Sequence, residues 1–350
     1  MTNSRTTPGP GDPDYAELLR HFNIYDPGHV AVKKQAYAYA RAHCPVPFTD
    51  NDEGFYLITR FEDVRQVLLD PASFSSTGLG PRPVPININP LDVDPPYHTD
   101  LRRLLNPLFS RSALRRFEPD LRAIAEANVA GWLHREQIDL VTEFVIPVVS
   151  ESLARIVFEG IEPEKMITTA AIVSRVADGD ETAFGELLVI AAEYLLMREE
   201  QGVTPDQVGL VPAILTGTVE GGRPLTEDER LGVLSVMFLG GLDTTRGAIG
   251  TIAYEVARDP GLEDRLRDPN WVRRDLDEFI RYISPTATLA RTVTKDASVN
   301  GQCMHAGDRI LVVYDSANRD GERFERPDEL EFEQARPSNM GFGLGIHRCL

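Results

Sequence analysis

The chain has 350 residues, 42% of them hydrophobic, and a formal net charge of −18 at pH 7. That length can bury a large core, and the acidic balance argues against nucleic acid as a general partner, because phosphate binding calls for a basic surface. No stretch approaches the roughly 18 consecutive apolar residues of a membrane span, so no membrane partner is expected.

Residues 1–14 are polar and rich in Pro and Gly, and read as a disordered lead-in with neither signal peptide nor anchor. Residues 15–350 then read as a single domain. Residues 15–44 form a helix-rich entry, Gly54 to Thr59 a short strand, and Phe61 to Leu69 an amphipathic helix closed by Asp70-Pro71. Residues 72–97 carry Pro81, Pro83, Pro85, Pro90, Pro95 and Pro96, which bar a continuous helix and predict a functional loop over a substrate pocket. From His98 to about Glu200 the apolar spacing is helical, with breaks near residues 160–163 and at Gly179, so 162–200 reads as a mobile helix pair. After the turn at 221–224, Thr226 with Glu229 three residues on is a capping-box pattern opening a helix to about Arg258. A helix over about Trp271 to Ile283 stops before Pro285, and short strands follow around 289–314.

Three cysteines, Cys44, Cys303 and Cys349, are too few and too scattered for a disulfide framework or a C-x-x-C metal site, which suits a reducing cytoplasm. A zinc site built on His347 and Cys349 lacks further ligands at workable spacing. Cys349 is set apart by what precedes it: Gly341-Phe342-Gly343-Leu344-Gly345-Ile346-His347-Arg348. Glycines there permit backbone angles barred to other residues, so the chain can curl under a flat macrocycle and aim amide N–H groups at a sulfur. A glycine-rich turn with a buried thiol is the commoner arrangement. A thiolate on haem iron, which favours cleavage of an O–O bond, is the functional reading.

A second constellation lies inside the long helix, at Phe238-Leu239-Gly240-Gly241-Leu242-Asp243-Thr244-Thr245. Two interior glycines cost about 1 kcal/mol each relative to Ala, and such local conflicts mark functional sites. The glycines clear room for a flat ligand, and Thr244 can bond back to a carbonyl one turn earlier and open or bend the helix. A carboxyl and a hydroxyl side by side suit ordered proton delivery. A kinked helix packed on its neighbours is the alternative.

The string Phe-Gly-x-Gly-x-His-x-Cys at 342–349 resembles the haem-ligand loop of the cytochrome P450 family, the haem-thiolate monooxygenases. The resemblance extends over about residues 40–350 and implies a mainly α fold with a small β-rich part, here lacking the C-terminal helix and hairpin because the chain ends one residue past the ligand. It implies haem b bound through Cys349, with Phe342, Gly343 and His347 in the cofactor loop. Asp243 takes proton delivery and Thr244 the holding of dioxygen. Glu278-Phe279-Ile280-Arg281 matches the family's structural Glu-x-x-Arg pair, with Arg336 as third partner. His98 and Arg102, one helical turn apart, and Arg291 match the family's propionate-binding residues, a role that buried carboxylates require. Ala317-Asn318-Arg319-Asp320 matches a structural turn.

The implied activity is hydroxylation of a small to medium apolar organic substrate, with dioxygen and with electrons from a ferredoxin or flavodoxin. A cluster of Arg102, Arg103, Arg111, Arg115 and Arg116 reads either as a solvated helix face or as a docking patch for that acidic carrier. A non-catalytic haem-binding relative and a peroxide-driven peroxygenase are the alternatives.

Overall fold

The computed structural model describes residues 14–78, 86–204, 206–332 and 337–350, apart from the Glu181 side chain. In chain order, α1 (Tyr15–Arg20) is capped by Asp14, whose carboxylate accepts from Ala16 and Glu17, and α2 (Pro27–His43) by Asp26, with Pro at the first helical position. Strands β1 (Phe48–Thr49) and β2 (Phe55–Ile58) follow, then α3 (Phe61–Leu69) with the predicted bounds, and β3 (Phe74–Ser75). Helix α4 (Tyr97–Leu105) leads through a 3-10 turn into α5 (Arg111–Leu114), and a second such turn leads into α6 (Glu118–Ala130). A π-helical turn at Val141–Val145 opens onto α7 (Ile146–Ile156).

Next come α8 (Pro163–Ala177), α9 (Glu181–Glu200), α10 (Leu210–Thr216), β4 (Thr218–Val219) and β5 (Arg223–Pro224). The 32-residue α11 (Glu227–Arg258) starts at a true capping box: Thr226 accepts from the Glu229 amide, and the Glu229 side chain accepts from the Thr226 amide. Helices α12 (Pro260–Leu266) and α13 (Pro269–Ile283) each begin with an Asp cap followed by Pro. The chain then runs through β6 (Thr288–Val293), β7 (Ala297–Val299), β8 (Gln302–Met304), β9 (Arg309–Val313) and α14 (Tyr314–Ala317). The mainly helical fold with a small β-rich part is as expected. Helices α10 and α12 lie where no helix was foreseen, and the irregular stretch 131–139 breaks a region expected to be helical.

The described residues fall into two compact units, one of 14–78, 268–332 and 337–349 and one of 86–204, 206–267 and Leu350. The first holds the five-stranded sheet β1-β2-β9-β6-β3, in which β2 and β9 pair in parallel with Tyr56 opposite Ile310. Side chains alternate across a strand, so Ile310 and Val312 join Phe61, Val64 and Leu68 of α3 in one cluster. Leu311 and Val313 join Tyr37 and Ala40 of α2 in another. Both faces of the sheet are buried, which fits the nearly continuous apolar run of β9.

The second unit is built around α11. Its apolar side packs on residues of α7, α8, α9 and α10 in one core, where Phe158 and Phe238 stack with centroids 3.8 Å apart. Close packing explains two helix glycines. A Cβ on Gly232 would lie 2.1 Å from the Asn87 carbonyl oxygen, and one on Gly241 would lie 2.6 Å from a Leu153 methyl.

Candidate active site

In the first unit the cysteine segment is a closed loop. The Gly343 amide donates to the Met340 carbonyl at 2.9 Å, the Arg348 amide to Gly345 at 3.3 Å, and the Cys349 amide to Phe342 at 2.9 Å. Gly343 and Gly345 sit at φ +67° and +72°, in the left-handed region that favours glycine. A Cβ on Gly345 would lie 2.2 Å from the Leu68 carbonyl oxygen, and one on Gly341 would lie 2.4 Å from the Ile280 Cγ2. Gly345 to His347 form a 3-10 turn, Phe342 is 46% exposed, and Cys349 is an exposed thiol. The loop thus spends at least three of its amides on backbone carbonyls within residues 340–349.

The support beneath this loop is polar and buried. Arg281 of α13 is 1% exposed, and its guanidinium donates to both carboxylate oxygens of Glu278 at 2.8 Å. It also donates to the carbonyls of Asn318 at 2.8 Å and of Pro327 and Glu329 at 2.7 Å. Asn318, from the predicted structural turn, accepts from the Met340 amide at 2.7 Å. The proposed third partner, Arg336, lies outside the described residues. Arg291, on β6, is buried and donates to its neighbour's carbonyl on Ala290 at 2.6 Å.

In the second unit, His98 and Arg102 stand one turn apart on α4. His98 is 3% exposed, and burial, with Arg102 second, pushes its pKa down to about 4. It is therefore neutral near pH 7 and able to donate an N–H without carrying charge. On α11, Thr244 donates to the Gly240 carbonyl at 2.6 Å, the back-bond read from the sequence. The helix nevertheless runs unbroken from Glu227 to Arg258. Of the two glycines, Gly241 is accounted for by Leu153, whereas a Cβ on Gly240 would meet nothing within 4 Å. Of this pair, Gly240 is the one that leaves open space.

Asp243 carries a partner that sequence reasoning missed. Arg246, three residues on, donates to its Oδ1 at 2.5 Å and to the hydroxyl of Ser174 on α8. The Asp-x-x-Arg spacing was visible in the chain; the bond to a serine 72 residues away was not.

The donor set fits a haem iron. Within the first unit, a soft thiol sulfur stands exposed at the end of a loop with left-handed glycines, whose Phe342 ring is also exposed, and the same unit holds the buried cation Arg291.

Residues 272–350 match the model of the family described as Cytochrome P450. The chain is 29% identical over 323 residues to Cytochrome P450 107B1 of Saccharopolyspora erythraea, covering 86% of this chain and 78% of that protein. It is 28% identical over 331 residues to the Vitamin D(3) 25-hydroxylase of Pseudonocardia autotrophica, covering 90% and 80%. Among solved structures it resembles a carbohydrate active P450 with a TM-score of 0.78 at 28% identity, covering 89% of this chain and 83% of that one. It also resembles CYP109E1 from Bacillus megaterium in complex with testosterone, with a TM-score of 0.75 at 26% identity, covering 90% and 85%.

Fold and relatives together define a haem-thiolate oxygenase. The chain belongs to the cytochrome P450 family and is of the bacterial type. It is a cytochrome P450 monooxygenase, which uses haem iron, dioxygen, an organic substrate and an electron-transfer partner. Among the described residues no helix is long and apolar enough to cross a membrane.

Proposed function

We propose that this monooxygenase binds haem b through the Cys349 thiolate and hydroxylates a small to medium apolar organic molecule. The observation that carries the reading is the closed loop of residues 341–349, whose left-handed glycines and Cys349-to-Phe342 hydrogen bond end in an exposed thiol. When bound, haem supplies dioxygen activation, which a thiolate ligand promotes by donating electron density.

The remaining roles belong to the chain. Phe342, Gly343 and His347 line the cofactor loop. His98, Arg102 and Arg291 bind the haem propionates: neutral His98 as an N–H donor, the two arginines as the charges that buried carboxylates require. Thr244 holds a hydroxyl over the gap left by Gly240, and Asp243 carries protons to the oxygen site. The two units act as one catalytic domain, in the cytoplasm.

Electrons come from a ferredoxin or flavodoxin. Its docking place is the face of α5 and α6, where a cleft of about 730 Å³ is lined by Phe109, Leu114 and Leu121 together with Arg111, Arg115, Arg122, Glu118 and Glu126. With Arg122 paired to Glu118, Arg111 and Arg115 leave an apolar floor with a net positive rim, which suits a small acidic carrier.

The test is the spectrum of the reduced, carbon-monoxide-bound protein beside that of Cys349→Ser. A strongly red-shifted Soret band that is lost in the variant, together with product formation, is the expected result. The same band and activity in Cys349→Ser would remove the thiolate from the scheme.

A further inference from the structure

We propose that Arg246 is the positioning residue for Asp243, and that Ser174 of α8 anchors it, so that the acid on α11 is held in one orientation by a neighbouring helix. The inference rests on the proton-carrying role proposed for Asp243.

The three side chains form a chain of bonds within one unit. Ser174 donates its only hydroxyl proton to the Ala170 carbonyl at 2.9 Å. Its oxygen is left as an acceptor, and the first terminal nitrogen of Arg246 takes it. The planar guanidinium is thereby fixed, and its second terminal nitrogen points at Asp243 Oδ1, 2.5 Å away. Both charged side chains are shielded, Asp243 at 33% and Arg246 at 23% exposure. The acid precedes the base along the helix, the more favourable order for an ion pair at this spacing.

A serine in a helix ordinarily bonds back to its own carbonyl and does nothing more. Here that back-bond turns the hydroxyl into an oriented acceptor. A freely rotating carboxylate at residue 243 would deliver protons from many geometries, whereas a clamped one presents the same oxygen each time. Lysine cannot reproduce this arrangement, because an ammonium group lacks the rigid fork that reaches two acceptors at once.

The experiment uses the haem-loaded full chain, with a photoreduced flavin as electron source and no substrate, and reads the fraction of consumed dioxygen recovered as peroxide after subtracting the dioxygen consumed and peroxide formed by the flavin alone in a matched sample without protein. Failed proton delivery raises that fraction, and neither a substrate nor a natural carrier need be known. Asp243→Asn sets the scale. Arg246→Met is expected to raise the fraction in the same direction by about twofold, the factor that an ion pair of this spacing corresponds to. Ser174→Ala should do so by less, and Arg246→Lys should recover part of the loss. A second readout needs no turnover: thermal unfolding of Asp243→Asn, Arg246→Met and the double variant, and of the matching cycle with Ser174→Ala, should be non-additive, as groups in one network are.

A raised peroxide fraction in Asp243→Asn, with Arg246→Met, Arg246→Lys and Ser174→Ala all at the unmodified level, would overturn the positioning role. An unchanged fraction in Asp243→Asn would instead remove Asp243 from proton delivery. The unfolding cycles separate the two failures, because additivity in both means that the clamp itself does not exist.

Discussion

The guanidinium of Arg281 and the carboxylate of Glu278 face each other across two parallel hydrogen bonds of 2.8 Å, with both side chains almost wholly withdrawn from water. Geometry of this kind is what allows a buried ion pair to offset its desolvation. Three carbonyls and the Glu331 amide, which donates to Glu278 Oε1 at 2.9 Å, complete the shell.

Arg281→Met should therefore destabilise the protein by about 3 to 5 kcal/mol, because it leaves a buried carboxylate unpaired. Denaturant unfolding monitored by circular dichroism measures this. A loss below about 1 kcal/mol, the level of an exposed pair, would contradict the burial described.

Glycine at 345 is required twice over, by a φ of +72° and by the Leu68 carbonyl oxygen in the space a Cβ would fill. Gly345→Ala should displace the cysteine loop at a cost of about 1 to 3 kcal/mol. Haem transfer from the variant to apomyoglobin is the direct assay, and should be about tenfold faster. An equal transfer rate would mean that the loop does not govern haem retention.

His98 titrates below the ordinary imidazole range, at about 4 against 6.5. Between those values the unfolded chain binds more protons than the folded one, so stability rises with pH across this window and is lost as pH falls through it. The slope from this group cannot exceed about 1.4 kcal/mol per pH unit. Urea midpoints from pH 4 to 7 for the unmodified chain and His98→Gln should diverge in shape, with the variant flatter. Parallel curves would place His98 in contact with water.

For Thr244→Ala, electron consumption should continue while product formation falls by up to about 100-fold, the scale of losing one positioned proton-handling group. Peroxide should account for the difference. A product-to-electron ratio equal to that of the unmodified enzyme would reduce Thr244 to a helix residue bonded to Gly240.

What could be read from the chain beforehand was local. The bounds of α3, the capping box at Thr226 and Glu229, and the Thr244 back-bond each depend on residues within one or two turns, where spacing and propensity decide. The cysteine loop was legible for the same reason. What escaped were bonds that join distant segments: the carbonyls gathered by Arg281 come from residues 318, 327 and 329, and Ser174 reaches Arg246 from another helix. Gly241 shows a subtler gap. A helix glycine can clear space for a ligand or for a neighbouring leucine, and only packing separates the two.

The loop around Cys349 is closed by hydrogen bonds among residues 340–349 and wedged against the Leu68 carbonyl. These bonds are the polypeptide's own, so the entropy of ordering the segment is lost on folding of the chain. Under the haem-ligand role proposed for Cys349, that share of the cost does not fall on cofactor affinity.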